Sequence, residues 1–173
     1  AITGVITGFR FDYYETTSPN SEALDSAKKM LELRKFGSLV FTGGLSDTTN
    51  AGDSFMKCRN MIITAPDAPD TSGSLDFIWM FYQNNNITQV PLLNVSSASR
   101  FWAMFRECSS IQTLPDGFNF DNGVTGAGGN KYPEMFRGCT ALTTLDNVTF
   151  GDMDSKINGL FQDCNNLADV PSS

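Results

Sequence analysis

Histidine is missing from this chain of 173 residues. Its absence removes the commonest general base, and with it the Ser-His-Asp and Cys-His arrangements of nucleophilic catalysis. Basic clusters are missing too. Twelve Lys and Arg stand against 19 Asp and Glu, for a formal net charge of −7, which speaks against a nucleic-acid partner because the phosphate backbone is held by Lys and Arg. No apolar run approaches the roughly 18 residues that a membrane span needs, so no span is expected. Cysteine is sparse, at four residues, and without paired short spacings or histidine neither a zinc site nor any other cofactor is expected. A leading methionine is also lacking: the chain opens at Ala1, which reads as a removed signal peptide, a cleaved precursor or a chosen boundary.

What is present is a repeat. Phe55, Phe81, Phe105, Phe136 and Phe161 open the strings FMKCRNMIITAP, FYQNNNITQVP, FRECSSIQTLP, FRGCTALTTLD and FQDCNNLADVP. Their spacing is nearly even, with one longer step from Phe105 to Phe136. A period in the twenties marks units that stack on their neighbours. Four residues before each phenylalanine stand Ala51, Phe77, Phe101, Tyr132 and Ile157, and just before it Ser54, Met80, Met104, Met135 and Leu160. Apolar positions at this spacing predict a helical turn. Cys58, Asn84, Cys108, Cys139 and Cys164 follow three residues after the phenylalanine, then Met61, Ile87, Ile111, Leu142 and Leu167, then Thr64, Val90, Leu114, Leu145 and Val170. This second half predicts a bend followed by a short strand.

The string MF-x-x-C-x-x-L-x-x-L-P, clearest from Met104 to Pro115 and from Met135 to Asp146, resembles the BspA-like leucine-rich repeats of bacterial surface proteins. The resemblance covers roughly residues 51 to 173 and implies adhesion or partner binding with no shared reaction. Asn84 departs from it, the copies vary in length, and the segment 1–50 does not share it. The expected fold is therefore an α/β solenoid, a leucine-rich-repeat-like stack of about five short helix-strand units over 51–173, with an N-terminal α/β cap over 1–50.

Within the cap, Ile2 to Tyr14 is rich in β-branched and aromatic residues and predicts one or two strands. Ser18-Pro19-Asn20-Ser21 then caps a helix over Glu22 to Lys35, ended by Gly37, and Ser38 to Thr42 reads as a strand. Met30, Leu33, Phe36 and Leu39 recur at threes, and Met30 precedes Phe55 by one period of the repeat. A degenerate zeroth repeat and an independent βαβ element both fit. The longer step between Phe105 and Phe136 is accounted for by the insertion DNGVTGAGGNK between Phe120 and Tyr132, a glycine-rich loop read either as a contact loop or as a tolerated surface insertion.

The four cysteines share one repeat position, so they should point into the core from successive rungs about 4.8 Å apart. Cys58 and Cys108, two rungs apart at about 9.6 Å, then exceed the roughly 7 Å reach of a disulfide. Neighbours such as Cys139 and Cys164 would lie close enough, but free buried thiols are expected, acting as small core hydrophobes. Asp116, Asn119 and Asp121, and likewise Asp152 and Asp154, offer oxygens to calcium or form ordinary solvated turns, since neither stretch follows the EF-hand loop. Asn86-Ile87-Thr88, Asn94-Val95-Ser96 and Asn147-Val148-Thr149 match the glycosylation acceptor pattern.

The remaining candidate surface lies between the inward residues of each predicted strand. Thr88, Gln89, Gln112, Thr113, Thr143 and Thr144 should form an outward stripe, a ligand-binding face or merely threonine suited to an exposed strand. Trp79 and Trp102 precede their phenylalanines by two and three residues, and Trp79 at least is expected to be exposed as a contact. The last repeat near Leu167 and Val170 has no polar helix after it, which reads either as a truncated fragment or as an assembly site where a subunit docks. Two functions follow. One is a non-enzymatic recognition or adhesion module, extracellular or on a cell surface, binding a protein or glycan. The alternative is a structural subunit of a larger assembly, such as a virus-particle fibre or decoration protein, docking as a homo-oligomer or on a partner through that C-terminal end.

Overall fold

The computed structural model describes residues 29–41, 54–122, 132–151, 157 and 159–169, together with the backbone of Val5–Ile6. Within it the phenylalanine ladder is continuous. Phe55 and Phe81 stack with ring centroids 5.7 Å apart, Phe81 and Phe105 at 5.7 Å, Phe105 and Phe136 at 5.4 Å, and Phe136 and Phe161 at 5.9 Å, with interplanar angles of 9°, 3°, 15° and 18°. Each such stacked pair contributes about 0.5–1.5 kcal/mol beyond its buried area. Phe77 and Phe101 form a second stack, with Tyr132 tilted against Phe101. Met61, Ile87, Ile111 and Leu142 are buried as a third column. Phe118, Phe120 and Phe150 fill the remaining corner, edge-on to these columns.

The rungs that carry these columns are made of turns. This corrects the expectation of a leucine-rich-repeat-like α/β solenoid of helix-strand units: from Ser54 to Asp169 no described residue is helical. Among the described residues, regular strand is confined to six two-residue pieces, β1 Val5–Ile6, β2 Glu32–Leu33, β3 Val40–Phe41, β4 Ile62–Ile63, β5 Asn119–Phe120 and β6 Thr149–Phe150. They pair in parallel as β1 with β3, β2 with β4 and β5 with β6, giving three two-stranded sheets.

The reason the helical spacing fails lies in the backbone. Two residues before the phenylalanine, Trp79, Ala103, Glu134 and Gly159 have φ between 51° and 69°, and two residues after it Lys57, Gln83, Glu107, Gly138 and Asp163 have φ between 60° and 75°. A left-handed residue on either side of the phenylalanine breaks the helix after a single turn. The amides freed in this way bond between rungs instead of to carbonyls four residues back. Phe81 N–H donates to the Met104 carbonyl at 2.9 Å, Gln83 to Arg106 at 2.9 Å, and Trp79 to Trp102 at 3.0 Å. Apolar side chains at the expected spacing still share one face, because turns closed by three-residue hydrogen bonds, such as Cys108 N–H to Phe105 at 3.0 Å, return each of them inward.

The expected α/β cap is corrected in the same way. Of the helix expected over Glu22 to Lys35, Lys29 is helical among the described residues, but the chain from Met30 onward is not, and Glu32–Leu33 is strand. β2 aligns Leu33 with Ile63, an offset longer than the period, so Met30 does not take the ladder place one period before Phe55. Gly37, at φ 63°, turns the chain, and the Asp67 carboxylate accepts the amides of Phe36 and Gly37 at 3.0 and 2.7 Å. The segment 32–41 thus bonds across the boundary expected between the cap and the repeats. Val40–Phe41 realises part of the strand expected over Ser38 to Thr42, and a bridge joins Val40 to Asp70. Apart from Val5–Ile6, the strands expected over Ile2 to Tyr14 lie outside the described residues, as do most of the DNGVTGAGGNK insertion and Asp152 and Asp154.

Candidate contact face

The position three residues after each of the four later phenylalanines is a hydrogen-bond donor to the rung before it. Cys108 Sγ donates to the Phe81 carbonyl at 2.9 Å, Cys139 to Phe105 at 3.0 Å and Cys164 to Phe136 at 3.0 Å. Asn84, the departure from the pattern, does the same work with Nδ2, reaching the Phe55 carbonyl at 2.8 Å. All four cysteines are free thiols. Burial pushes Cys58 up to about 12 and raises Cys108, Cys139 and Cys164 as well. A thiol that stays protonated and donates inside a core is not available as a nucleophile.

The Thr and Gln stripe lies on the surface as expected. Thr88, Gln89, Gln112, Thr113 and Thr143 are exposed and Thr144 is half-buried. Only the Ile62–Ile63 segment before it is regular strand; the other segments are extended coil, so the expected strand at each repeat is not formed. Three of the hydroxyls are committed within the chain. Thr143 Oγ1 donates to the Gln112 carbonyl at 3.1 Å, Thr113 Oγ1 to Leu114 at 3.3 Å, and Thr144 Oγ1 accepts the Asp146 amide at 3.2 Å. Thr88, Gln89 and Gln112 make no side-chain hydrogen bond among the described residues, so their polar ends face water.

Trp79 is half-buried, not fully exposed as expected. Its ring is covered by Trp102, with centroids 5.3 Å apart, and Trp102 is the exposed partner at 44 %. Beside this corner runs a charged ladder that was not anticipated from the sequence. Arg59 donates to Gln83 at 2.6 Å, Gln83 to Glu107 at 2.8 Å, Arg106 to Glu134, and Arg137 to Glu134 at 2.9 Å. The Arg106 guanidinium also sits 5.4 Å from the Tyr82 ring. The positions one and two after each phenylalanine carried the signal, as Tyr, Arg and Arg in one column beside Gln and Glu in the next. Screened ion pairs of this kind contribute little singly.

At the last rung burial falls. Phe161, Cys164 and Leu167 are half-buried, whereas Phe136, Cys139 and Leu142 one rung earlier are fully buried. Val170, the other residue expected at an assembly end, lies outside the described residues. Two of the calcium candidates are engaged within the chain: Asn119 accepts the Asp121 amide of its own turn at 2.8 Å, and Asp116 accepts Asn147 Nδ2 from the next repeat at 2.6 Å. Among the acceptor motifs, Asn147 is committed a second time, to the Leu114 carbonyl at 2.8 Å, and Asn94 accepts both the amide and the hydroxyl of Ser96. Asn86 is exposed. A shallow cleft of about 430 Å³ lies between Leu92–Ser96 and Gly117–Asn122, crossed by a hydrogen bond from Asn122 to the Ser96 carbonyl.

No described helix is long and apolar enough to cross a membrane. No protein-family model, curated protein or solved structure matches the chain.

Proposed function

We propose that the chain is a non-enzymatic recognition or adhesion module, extracellular or on a cell surface, that presents its repeat face to a protein or glycan. The observation that carries this reading is the uncommitted part of the stripe. Thr88, Gln89 and Gln112 are exposed polar side chains on adjacent rungs, held by fully buried aromatic stacks. A rigid array of free donors and acceptors loses little entropy on binding. The likeness of the repeat string to bacterial surface repeats supports the same reading. Its test is adhesion of the purified chain to whole cells and to an immobilised glycan panel. Thr88→Lys with Gln112→Lys should abolish adhesion while the stability to denaturant stays within about 0.5 kcal/mol of the parent; unchanged adhesion would remove the stripe from the contact face.

A second reading is favoured by the loss of burial at the Phe161 rung: a structural subunit, such as a virus-particle component, that assembles through this end. Native mass spectrometry tests it. An assembly present in the parent and lost in Leu167→Lys supports it, and a monomer under all conditions and with all components removes it.

A further inference from the structure

The cleft between Leu92–Ser96 and Gly117–Asn122 holds about 430 Å³, a volume in the range of small-molecule sites. Its polar groups are set by similar turns on two successive rungs. Asn94 Oδ1 accepts the amide and the hydroxyl of Ser96 at 3.1 and 2.7 Å, and Asn119 Oδ1 accepts the Asp121 amide at 2.8 Å. With each oxygen held by the chain two residues on, the Nδ2 end points away from the turn. Both asparagines are exposed, and neither Nδ2 meets an acceptor among the described residues. Asp121 is exposed as well, and its carboxylate has no partner among them. Asn122 donates Nδ2 to the Ser96 carbonyl, which leaves its Oδ1 as an acceptor. Leu92, exposed at 46 %, supplies an aliphatic wall beside Gly117, where a Cβ would meet Leu92 Cδ2 at 3.6 Å.

Two donors and two acceptors around one aliphatic wall restrict the class of ligand. An anion would meet the Asp121 carboxylate in a chain of net charge −7. A cation would meet two amide groups that aim N–H at it and a single carboxylate. An apolar ligand would strand all four polar groups. A peptide laid along an edge needs a run of unpaired backbone, whereas this cleft offers side chains. A neutral molecule with several hydroxyls satisfies every group, because each hydroxyl both donates and accepts and the carbons between them present C–H to Leu92.

We propose that this cleft binds one neutral sugar unit. Asn94 and Asn119 donate from Nδ2 to two of its hydroxyls, the Asp121 carboxylate and Asn122 Oδ1 accept from others, and a C–H face of the ring lies on Leu92. The inference rests on the recognition reading above for the kind of partner and places a glycan unit at residues apart from the stripe, since none of Thr88, Gln89 and Gln112 lines the cleft.

The probes are glucose, galactose, mannose and N-acetylglucosamine, titrated singly into the isotope-labelled whole chain while the side-chain amide resonances of Asn94 and Asn119 are followed by NMR. Sialic acid serves as the anionic control. At least one neutral sugar should shift both resonance pairs saturably, and sialic acid should shift neither. Asn94→Asp with Asn119→Asp should weaken that sugar at least about tenfold by removing the two outward donors. The turn itself tolerates a carboxylate: Asp70 accepts the amide and hydroxyl of Ser72 at 3.0 and 2.7 Å in the same way. An unchanged denaturation midpoint verifies this for the double variant. Should it unfold, Asp121→Ala, whose amide stays on Asn119, decides by the same loss of affinity. The inference is overturned if no neutral sugar moves both resonance pairs at any concentration to which it dissolves, if sialic acid moves them as far, or if the sugar binds parent and variant equally. Adhesion lost in Thr88→Lys with Gln112→Lys would in that case leave the recognition reading standing on the stripe alone.

Discussion

Cys108 Sγ hydrogen-bonds the carbonyl of Phe81 across a rung junction at 2.9 Å, and Asn84 makes the equivalent bond to Phe55 at 2.8 Å. A thiol and an amide thus occupy one structural role. What the position requires is a short donor that can be buried facing the preceding rung.

The thiols should therefore be silent in the native protein and visible only on unfolding. A thiol reagent at neutral pH should label none of Cys58, Cys108 and Cys139 at an appreciable rate, and four thiols should react in denaturant without reductant. Their folded pKa values lie above the unfolded one. The associated stability is whole below about pH 9 and is lost as pH rises toward the folded values, because the unfolded chain alone ionises. Chemical denaturation from pH 8 to pH 11 should show a falling midpoint. A flat profile would contradict the burial of these groups.

Removing a ladder ring should be far more costly than removing a stripe hydroxyl. Phe105 is fully buried between Phe81 and Phe136, so Phe105→Ala should cost about 3–5 kcal/mol. Thr113 is exposed, and Thr113→Ala should cost under about 0.5 kcal/mol. Urea denaturation of both variants decides the register: similar midpoints would contradict it.

Asp76 is buried at 4 % exposure, pairs with Arg100 at 2.6 Å and accepts the Ile78 amide at 2.8 Å. Burial raises its pKa, against the opposing pull of the Ile78 amide and Arg100. A raised carboxyl contributes stability that is fully present below the unfolded pKa near 3.8 and is lost as pH rises through the folded value. Compared with Asp76→Asn, which keeps an oxygen for Ile78, the parent should gain stability as pH falls from 7 toward 4. Asp76→Ala should cost about 1–3 kcal/mol at any pH by stranding the Ile78 amide. A parent-minus-Asn difference that does not change with pH would refute the assignment.

The left-handed positions should tolerate glycine and resist its removal. Gly138 has φ 75°, and a Cβ there would come within 3.2 Å of Glu107 Cγ, so Gly138→Ala should destabilise the fold by about 1–2 kcal/mol. Asp163, exposed at φ 65°, should become more stable or stay neutral as Asp163→Gly, since relief of the backbone is set against unfolded-chain entropy. Thermal melts of the two variants should move in opposite directions or leave only the alanine variant displaced.

The period, the ladder from Phe55 to Phe161, the shared cysteine position and the outward stripe were all legible in the order of residues. Each is a matter of which residue types recur at which interval, and stacking identical units places identical residues above one another. That the units are turns was not legible. The spacing around Phe105 suits a helix, but Ala103 and Glu107 are left-handed, and nothing in an alanine or a glutamate announces that. The choice was made in three dimensions: the amides of Phe105 and Glu107 find carbonyls in the next rung, a gain that exists only when the neighbouring rung is in place. The same holds for Leu33, which lies in a helical pattern yet pairs with Ile63, because a short amphipathic segment has no stable helix of its own to defend against a parallel partner.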